Sequence, residues 1–311
     1  MSESSTPETA LTKHEPEQLD ALRKLLLAFL TVVPKGLVSR IGGVFAEIPW
    51  PGPLQRFQVR SFARTFGVNL DEVKEPLESF RTIQDFFVRE LVAGARPIDP
   101  DPTAFVSPCD GAWGSSGVVE KGMILQVKGR PYSLAALLGS DDEAARLEGG
   151  PFATLYLSPK DYHRFHAPCD GVIRAARSLP GTLWPVNKAG VLGVDGLFAE
   201  NERVVATVDM GREGAEGRLA LVPVGATVVG KVRLTFDDLT TNTGGRRVER
   251  DYMADRGGQG CPRLEKGREW GRFLFGSTIV FAAERGHLTL DPQPPGTPVR
   301  LGTRIGTRTV G

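Results

Sequence analysis

The sequence predicts an α+β protein in which a helical N-terminal region precedes a β-rich domain. Three observations carry this. Apolar residues recur at helical spacing until about residue 95, as in "SFRTIQDFFVREL". From residue 100 onward the pattern changes to short apolar runs divided by turn residues. The 37 Gly and 23 Pro favour many short strands over long helices. A hydrophobic share of 41% over 311 residues is enough for a sizeable core, in one large domain or two ordinary ones.

Residues 1–20 are polar and acidic, show no secretory signal, and are expected to form a disordered tail. Residues 21–67 are apolar, with Arg23, Lys24, Lys35, Arg40, Arg56, Arg60 and Arg64 interspersed and acidic residues nearly absent. The longest apolar run, Leu25 to Val33, is far short of the roughly 20 residues of a spanning helix. Short helices broken at Pro34 and around "PWPGP" are expected. Two readings stay open for them: helices lying in the plane of an anionic membrane surface, or a helical hairpin packed on the domain with arginines as its wet face. Residues 68–95 are expected to continue as helix, starting at Asn69 or Asp71.

Residues 96–311 read as the β-rich domain. Its strands are expected in "VSPCDGAWGSSGVV", "ATLYLSP" and "RLALVPVGATVVGKVRL", with a further strand over 272–283. The polar segments 231–270 and 284–300 read as loops, with "RVERDYMADRGGQGCPRLEKGRE" a mobile surface loop. "SPCDG" (107–111) and "APCDG" (167–171) echo one another, either as two similar turns or as a duplicated β-motif. A net charge of +1 gives no push toward nucleic acid. Cys109, Cys169 and Cys261 are odd in number and lack C-x-x-C spacing, so neither a disulfide framework nor a structural zinc site is expected.

The chemistry-bearing residues are few. His163 and His166 fall three apart in "DYHRFHAPCDG". They could hold a metal, although no further ligand cluster accompanies them; they could be structural; or one could be a base that activates a hydroxyl. The strand "GRFLFGSTIVF" carries Gly276, Ser277 and Thr278 where apolar residues are expected. No G-x-S-x-G elbow occurs, yet a glycine directly precedes Ser277. A serine hydroxyl can attack its own preceding carbonyl, and Gly276 tolerates the strained backbone this needs. The resulting ester breaks by β-elimination, and the dehydroalanine left behind hydrolyses to a pyruvoyl group. A base is required for the hydroxyl proton and later for the α-proton.

In order, "FFVRELVAGARPID" (86–99), "SPCDG", "DYHRFHAPCDG", "LFAENERVV" (197–205), "VPVGATVVGKV" (222–232) and "KGREWGRFLFGST" (266–278) resemble the bacterial phosphatidylserine decarboxylases over roughly residues 50 to 290. Phe275 stands where that family's cleavage motif usually has leucine. The resemblance implies a self-cleaving proenzyme, cut between Gly276 and Ser277 into a β chain, 1–276, and an α chain, 277–311, which remain associated. It implies an Asp110–His166–Ser277 arrangement for cleavage and a decarboxylation role for His163. It implies a covalent pyruvoyl group as the cofactor, which takes phosphatidylserine through a Schiff base to phosphatidylethanolamine and CO₂, with no metal. The lipid substrate favours the membrane-surface reading of 21–67: a monotopic anchor on the cytoplasmic leaflet of an anionic membrane, possible as a homo-oligomer. Asn201 and Arg203 of "NERV" are candidates for substrate binding. Two alternatives stand beside this: a serine hydrolase using Ser277, His166 and Asp110 without self-cleavage, and a non-enzymatic β-rich binding module.

Overall fold

The computed structural model describes residues 46–309 apart from 127–128, 187, 228–230, 242–244, 256–259 and 275–276. The expected tail, the segment 21–45 and Gly276 therefore lie outside the described residues. The fold is α+β, as the sequence predicts, with short helices leading into antiparallel sheets.

The helix Gly52–Phe66 starts after Pro51, with a proline in its first turn, and stops at Gly67, whose φ of 73° is left-handed. It buries Val59 and Ala63 against Phe80 and Phe86. The expected helix over 68–95 is not continuous. Single 3₁₀ turns form at Leu70–Glu72 and Leu77–Ser79, and only Ile83–Phe87 is α-helical. Pro76 has no N–H to give a continuing helix, and Val73 instead bridges to Leu91. Thr82 and Asp85 cap the last helix reciprocally.

The main sheet runs Val248–Asp251, Gly171–Leu179, Arg203–Met210, Arg218–Gly225, Ser277–Ala283, Pro151–Leu157, Gly111–Val118, Pro298–Val299, all antiparallel. Ser277–Ala283 is central, so its two faces belong to two cores. Ile279 and Phe281 join Phe105, Trp113 and Phe165 on one side; Val280 and Ala282 join Phe152, Phe198 and Val222 on the other. Each large apolar side chain fully buried here stabilises the sheet by about 1.5–3 kcal/mol. No helix among the described residues is long and apolar enough to cross a membrane.

The single strand expected over 272–283 is in fact two strands of different sheets. Glu269–Phe273 lies between Val232–Leu234 and Arg164–His166 in a small sheet, and the chain then enters the main sheet at Ser277. The expected loop around 247–269 is also structured in part. Val248–Asp251 and Arg263–Leu264 add to the Gly171–Leu179 strand, and buried Tyr252 donates its hydroxyl to Asp237.

The "PCDG" echo is a duplicated β-motif. Ser107 N–H donates to Thr303 O and its carbonyl accepts from Gly302; Ala167 N–H donates to Arg268 O and its carbonyl accepts from Gly267. Asp110 Oδ1 accepts the Leu301 amide, and Asp170 Oδ1 the Lys266 amide. Val299 pairs with Gly111 as Leu264 pairs with Gly171. The copies also bond each other reciprocally, Val106 N–H to Pro168 O and His166 N–H to Pro108 O. Both motifs end in glycine because both need close approach. A Cβ on Gly111 would sit 2.4 Å from Tyr156 O, and one on Gly171 would sit 2.6 Å from Val208 Cγ1.

Candidate active site

The duplicated motif places its first copy beside the two histidines. "DYHRFH" leaves the main sheet at Ser158, whose amide and hydroxyl both donate to Asp161 Oδ2 at 2.7 Å. The chain then runs as Arg164–His166 along Glu269–Phe273, and Phe273 N–H donates to His163 O at 2.9 Å. This bond holds the histidine strand against the segment that leads into Ser277. Ser277 itself opens the central strand, paired with Leu157 on one side and Gly225 on the other.

His163 is fully buried and its ring lies 3.9 Å from that of Phe87. Its Nδ1 is 2.8 Å from Asp161 O. A carbonyl only accepts, so Nδ1 carries the proton and Nε2 presents its lone pair. Nε2 has no hydrogen-bond partner among the described residues. Burial pulls the imidazole down to about 3, so it is neutral at physiological pH. His166 has the same tautomer: Nδ1 donates to Gly267 O at 2.9 Å, and Nε2 faces the Tyr162 hydroxyl at 3.4 Å. Burial lowers its pKa too, while Gly267 O and the nearby Glu269 and Asp110 charges oppose the fall. Both histidines therefore present an unprotonated Nε2, the form a general base needs.

Asp110 is held differently from the expectation. Arg96 Nε reaches both carboxylate oxygens at 2.8 and 2.9 Å, and Nη2 reaches Oδ2 at 2.6 Å while also donating to Glu72. No hydrogen bond joins Asp110 to His166; each is oriented by its own partners, and Asp110 acts on His166 through its charge. Asn201 and Arg203 are buried and line no part of the cavity beside Asp110. Asn201 Oδ1 accepts from Trp184 N–H, and its Nδ2 donates to Trp184 O and Gly225 O. Arg203 donates to the carbonyls of Ala136, Leu137 and Asn201. Their reach toward the site is through Gly225, the register partner of Ser277.

A cavity of about 440 Å³ lies between the helical region and the sheet, lined by Asn69, Arg89, Asp110, Tyr156, Asp161 and Tyr162 among others. Sequence reasoning singled out Asp110 but missed Arg89, Arg96, Glu72 and Tyr162. The available signal was that Arg89 and Arg96 sit in "FFVRELVAGARPID", where the flanking residues are too apolar for a solvated face.

Comparisons with known proteins give the family. The family model described as phosphatidylserine decarboxylase matches residues 83–307. A phosphatidylserine decarboxylase proenzyme from Anaeromyxobacter sp. (strain K) is 43% identical over 287 residues, covering 91% of this chain and 98% of the relative. Proenzymes of the same name from Myxococcus xanthus and Shewanella amazonensis are 38% and 41% identical, each over 91% of this chain and covering 98% and 96% of the relatives.

Proposed function

The chain belongs to the phosphatidylserine decarboxylase family, and on that premise we propose that Ser277 becomes a pyruvoyl group with which the protein removes CO₂ from phosphatidylserine. Its activity is that of a carboxy-lyase, giving phosphatidylethanolamine and CO₂. The observation that carries the assignment of Ser277 is its place as the first residue of the central strand, directly after the crossing between two sheets. The "YHRFH" strand, held through His163 O to Phe273 N–H, brings to this segment a buried histidine whose Nε2 has no partner among the described residues and is available to take a proton.

In the cleavage step, Ser277 Oγ bonds to the Gly276 carbonyl carbon and the peptide N is displaced, giving an ester. Loss of the Ser277 α-proton then expels the Gly276 carboxylate, and hydrolysis of the dehydroalanine releases ammonia and leaves the pyruvoyl group. His166 Nε2 is the base for the hydroxyl and α-protons, with the Asp110 charge favouring its protonated form. The pyruvoyl carbonyl supplies an electron sink for the pair left when CO₂ departs. His163 Nε2, bare at rest, takes up one proton from solvent and delivers it to the α-carbon once CO₂ has left, and the Phe87 ring packs against it. Asn201 positions Ser277 by fixing Gly225.

The substrate's location supports a peripheral membrane role. Phe57, Leu54 and Phe66 of the Gly52–Phe66 helix are exposed, at 68%, 43% and 43%. Arg56, Arg60 and Arg64 recur every four residues beside them along one groove. Apolar rings flanked by guanidinium groups suit the headgroup boundary of an anionic bilayer.

Intact mass of the purified protein under denaturing conditions tests the central step. Chains of 1–276 and 277–311, the second with a pyruvoyl mass and no free amine, are expected. One full-length chain that persists in the presence of phosphatidylserine vesicles would overturn it.

A further inference from the structure

Arg89 is a buried cation whose donors are only partly used. It is 4% exposed, and Nη2 donates to the carbonyls of Lys160 (2.8 Å) and Asp161 (3.2 Å). Nε and Nη1 meet no acceptor among the described residues. No carboxylate among the described residues forms an ion pair with it; Asp110 and Asp161 act only from a distance. Burial pulls the guanidinium down to about 10, so it stays charged at neutral pH. The Phe86 ring lies under it, 5.3 Å from Cζ, as a further favourable contact.

That condition is costly, because buried charges are ordinarily paired. Three other arginines with largely buried side chains find an acceptor for their charge. Arg96 holds Asp110 and Glu72, and Arg218 holds Glu143 and Asp209. Arg203 has no carboxylate but places all three nitrogens on carbonyls. Arg89 alone of these leaves two donor nitrogens without an acceptor among the described residues, and its side chain is one of those that line the 440 Å³ cavity. It also shares the Asp161 carbonyl with His163, whose Nε2 is likewise without a partner. An open cationic donor and an open neutral acceptor thus stand side by side.

We propose that Arg89 binds an oxyanion of the lipid head group and so sets the substrate against His163. This rests on the decarboxylase reading. The head group offers two oxyanions, the phosphodiester and the carboxylate. Binding the carboxylate would stabilise the ground state and be lost as neutral CO₂ leaves. The phosphodiester keeps its charge throughout, so holding it does not oppose the reaction and lowers KM. The geometry of an arginine fork suits either anion, and phosphate is the one chemistry favours.

The test uses processed wild-type enzyme, Arg89→Gln and Arg89→Lys, each first shown by mass to be cut. Arg89→Gln is expected to raise KM for phosphatidylserine in mixed micelles by roughly tenfold or more, the scale of a lost charge-assisted hydrogen bond. Arg89→Lys should recover part of the loss. Glycerophosphoethanolamine, a phosphodiester without a carboxylate, serves as a soluble inhibitor. Weakening of its inhibition by the same factor as KM identifies the phosphodiester; unchanged inhibition with impaired turnover identifies the carboxylate. A cut and folded Arg89→Gln with wild-type kcat and KM overturns the proposal. Should Arg89→Gln fail to mature, wild-type kinetics in Arg89→Lys, which cannot form the fork, overturns it equally. Wild-type protein that binds glycerophosphoethanolamine, seen as ³¹P line broadening lost in Arg89→Gln, yet releases no CO₂ would support the anion site and count against the decarboxylase reading.

Discussion

Arg96 grips Asp110 with three contacts of 2.6–2.9 Å, and the same guanidinium reaches Glu72 at 2.8 Å. The ion triad ties the N-terminal helical region to the first "PCDG" turn. It also fixes the carboxylate that acts on His166. A fold element outside the sheet thereby sets the electrostatics around the proposed cleavage base, His166.

Arg96→Gln should therefore lower stability and slow self-cleavage together. The side chains of Arg96 and Asp110 are only 10% and 8% exposed, and breaking a buried pair costs about 3 kcal/mol or more. Thermal melting combined with a time course of intact mass checks this. A variant that melts and matures like wild type would show that the triad is not a coupling between region and site.

The duplicated motif separates structure from chemistry. Asp110 and Asp170 each accept a backbone amide and an arginine, Arg96 in one copy and Arg212 in the other. Only Asp110 lines the cavity with Arg89 and Tyr162. Asp110→Asn should block or severely slow maturation. Asp170→Asn should lower the melting temperature but leave a cut, active enzyme, because its arginine is exposed and the pair is worth about 1 kcal/mol or less. Equal loss of maturation in both variants would remove the special role of Asp110.

Much of this was legible in the chain, and the limits have physical causes. Repeated Pro-Cys-Asp-Gly announced the duplication, since turn chemistry is local. Its closing partners, the segments around Gly267 and Gly302, share little beyond that glycine and were found only through hydrogen bonds. The strand predicted over 272–283 was right in propensity but blind to the change of sheet, which depends on pairing with distant residues. Helical spacing in 68–95 overrode a warning that Pro76 had given. Ser277, His163 and His166 stood out by chemistry, whereas Arg89 and Arg96 are distinguished only by burial and partner, which no spacing reveals.

The two histidines should divide the reaction. His166→Ala is expected to leave a full-length chain, as is Ser277→Ala, whereas His163→Ala should be cut at least in part yet release CO₂ at a rate lower by roughly 10²-fold or more. Intact mass and CO₂ release from phosphatidylserine read the two steps separately. Full decarboxylation by His163→Ala would remove that residue from the chemistry, and a cut Ser277→Ala protein would refute the assignment of the cleavage site.

Acid sensitivity gives the last prediction. Burial holds His163 down at about 3, against an ordinary value of 6.5. Between those values the unfolded chain binds a proton at this residue and the folded chain does not. Stability must therefore fall as pH drops from about 6.5 toward 3, and be fully present above 6.5. Burial lowers His166 as well, adding in the same direction. The salt-bridged Glu72 and Glu90 have lowered values too, held down first by Arg96 and Lys74 respectively. Their unfolded value of 4.5 confines their share to more acidic solution. The window from pH 5 to 7 thus reports mainly on the buried histidines. The urea midpoint should rise across that window in wild type and rise less steeply in His163→Gln, whose side chain cannot titrate. Parallel slopes for the two proteins would mean that His163 takes up its proton as readily folded as unfolded, and that its Nε2 is not shut away from water.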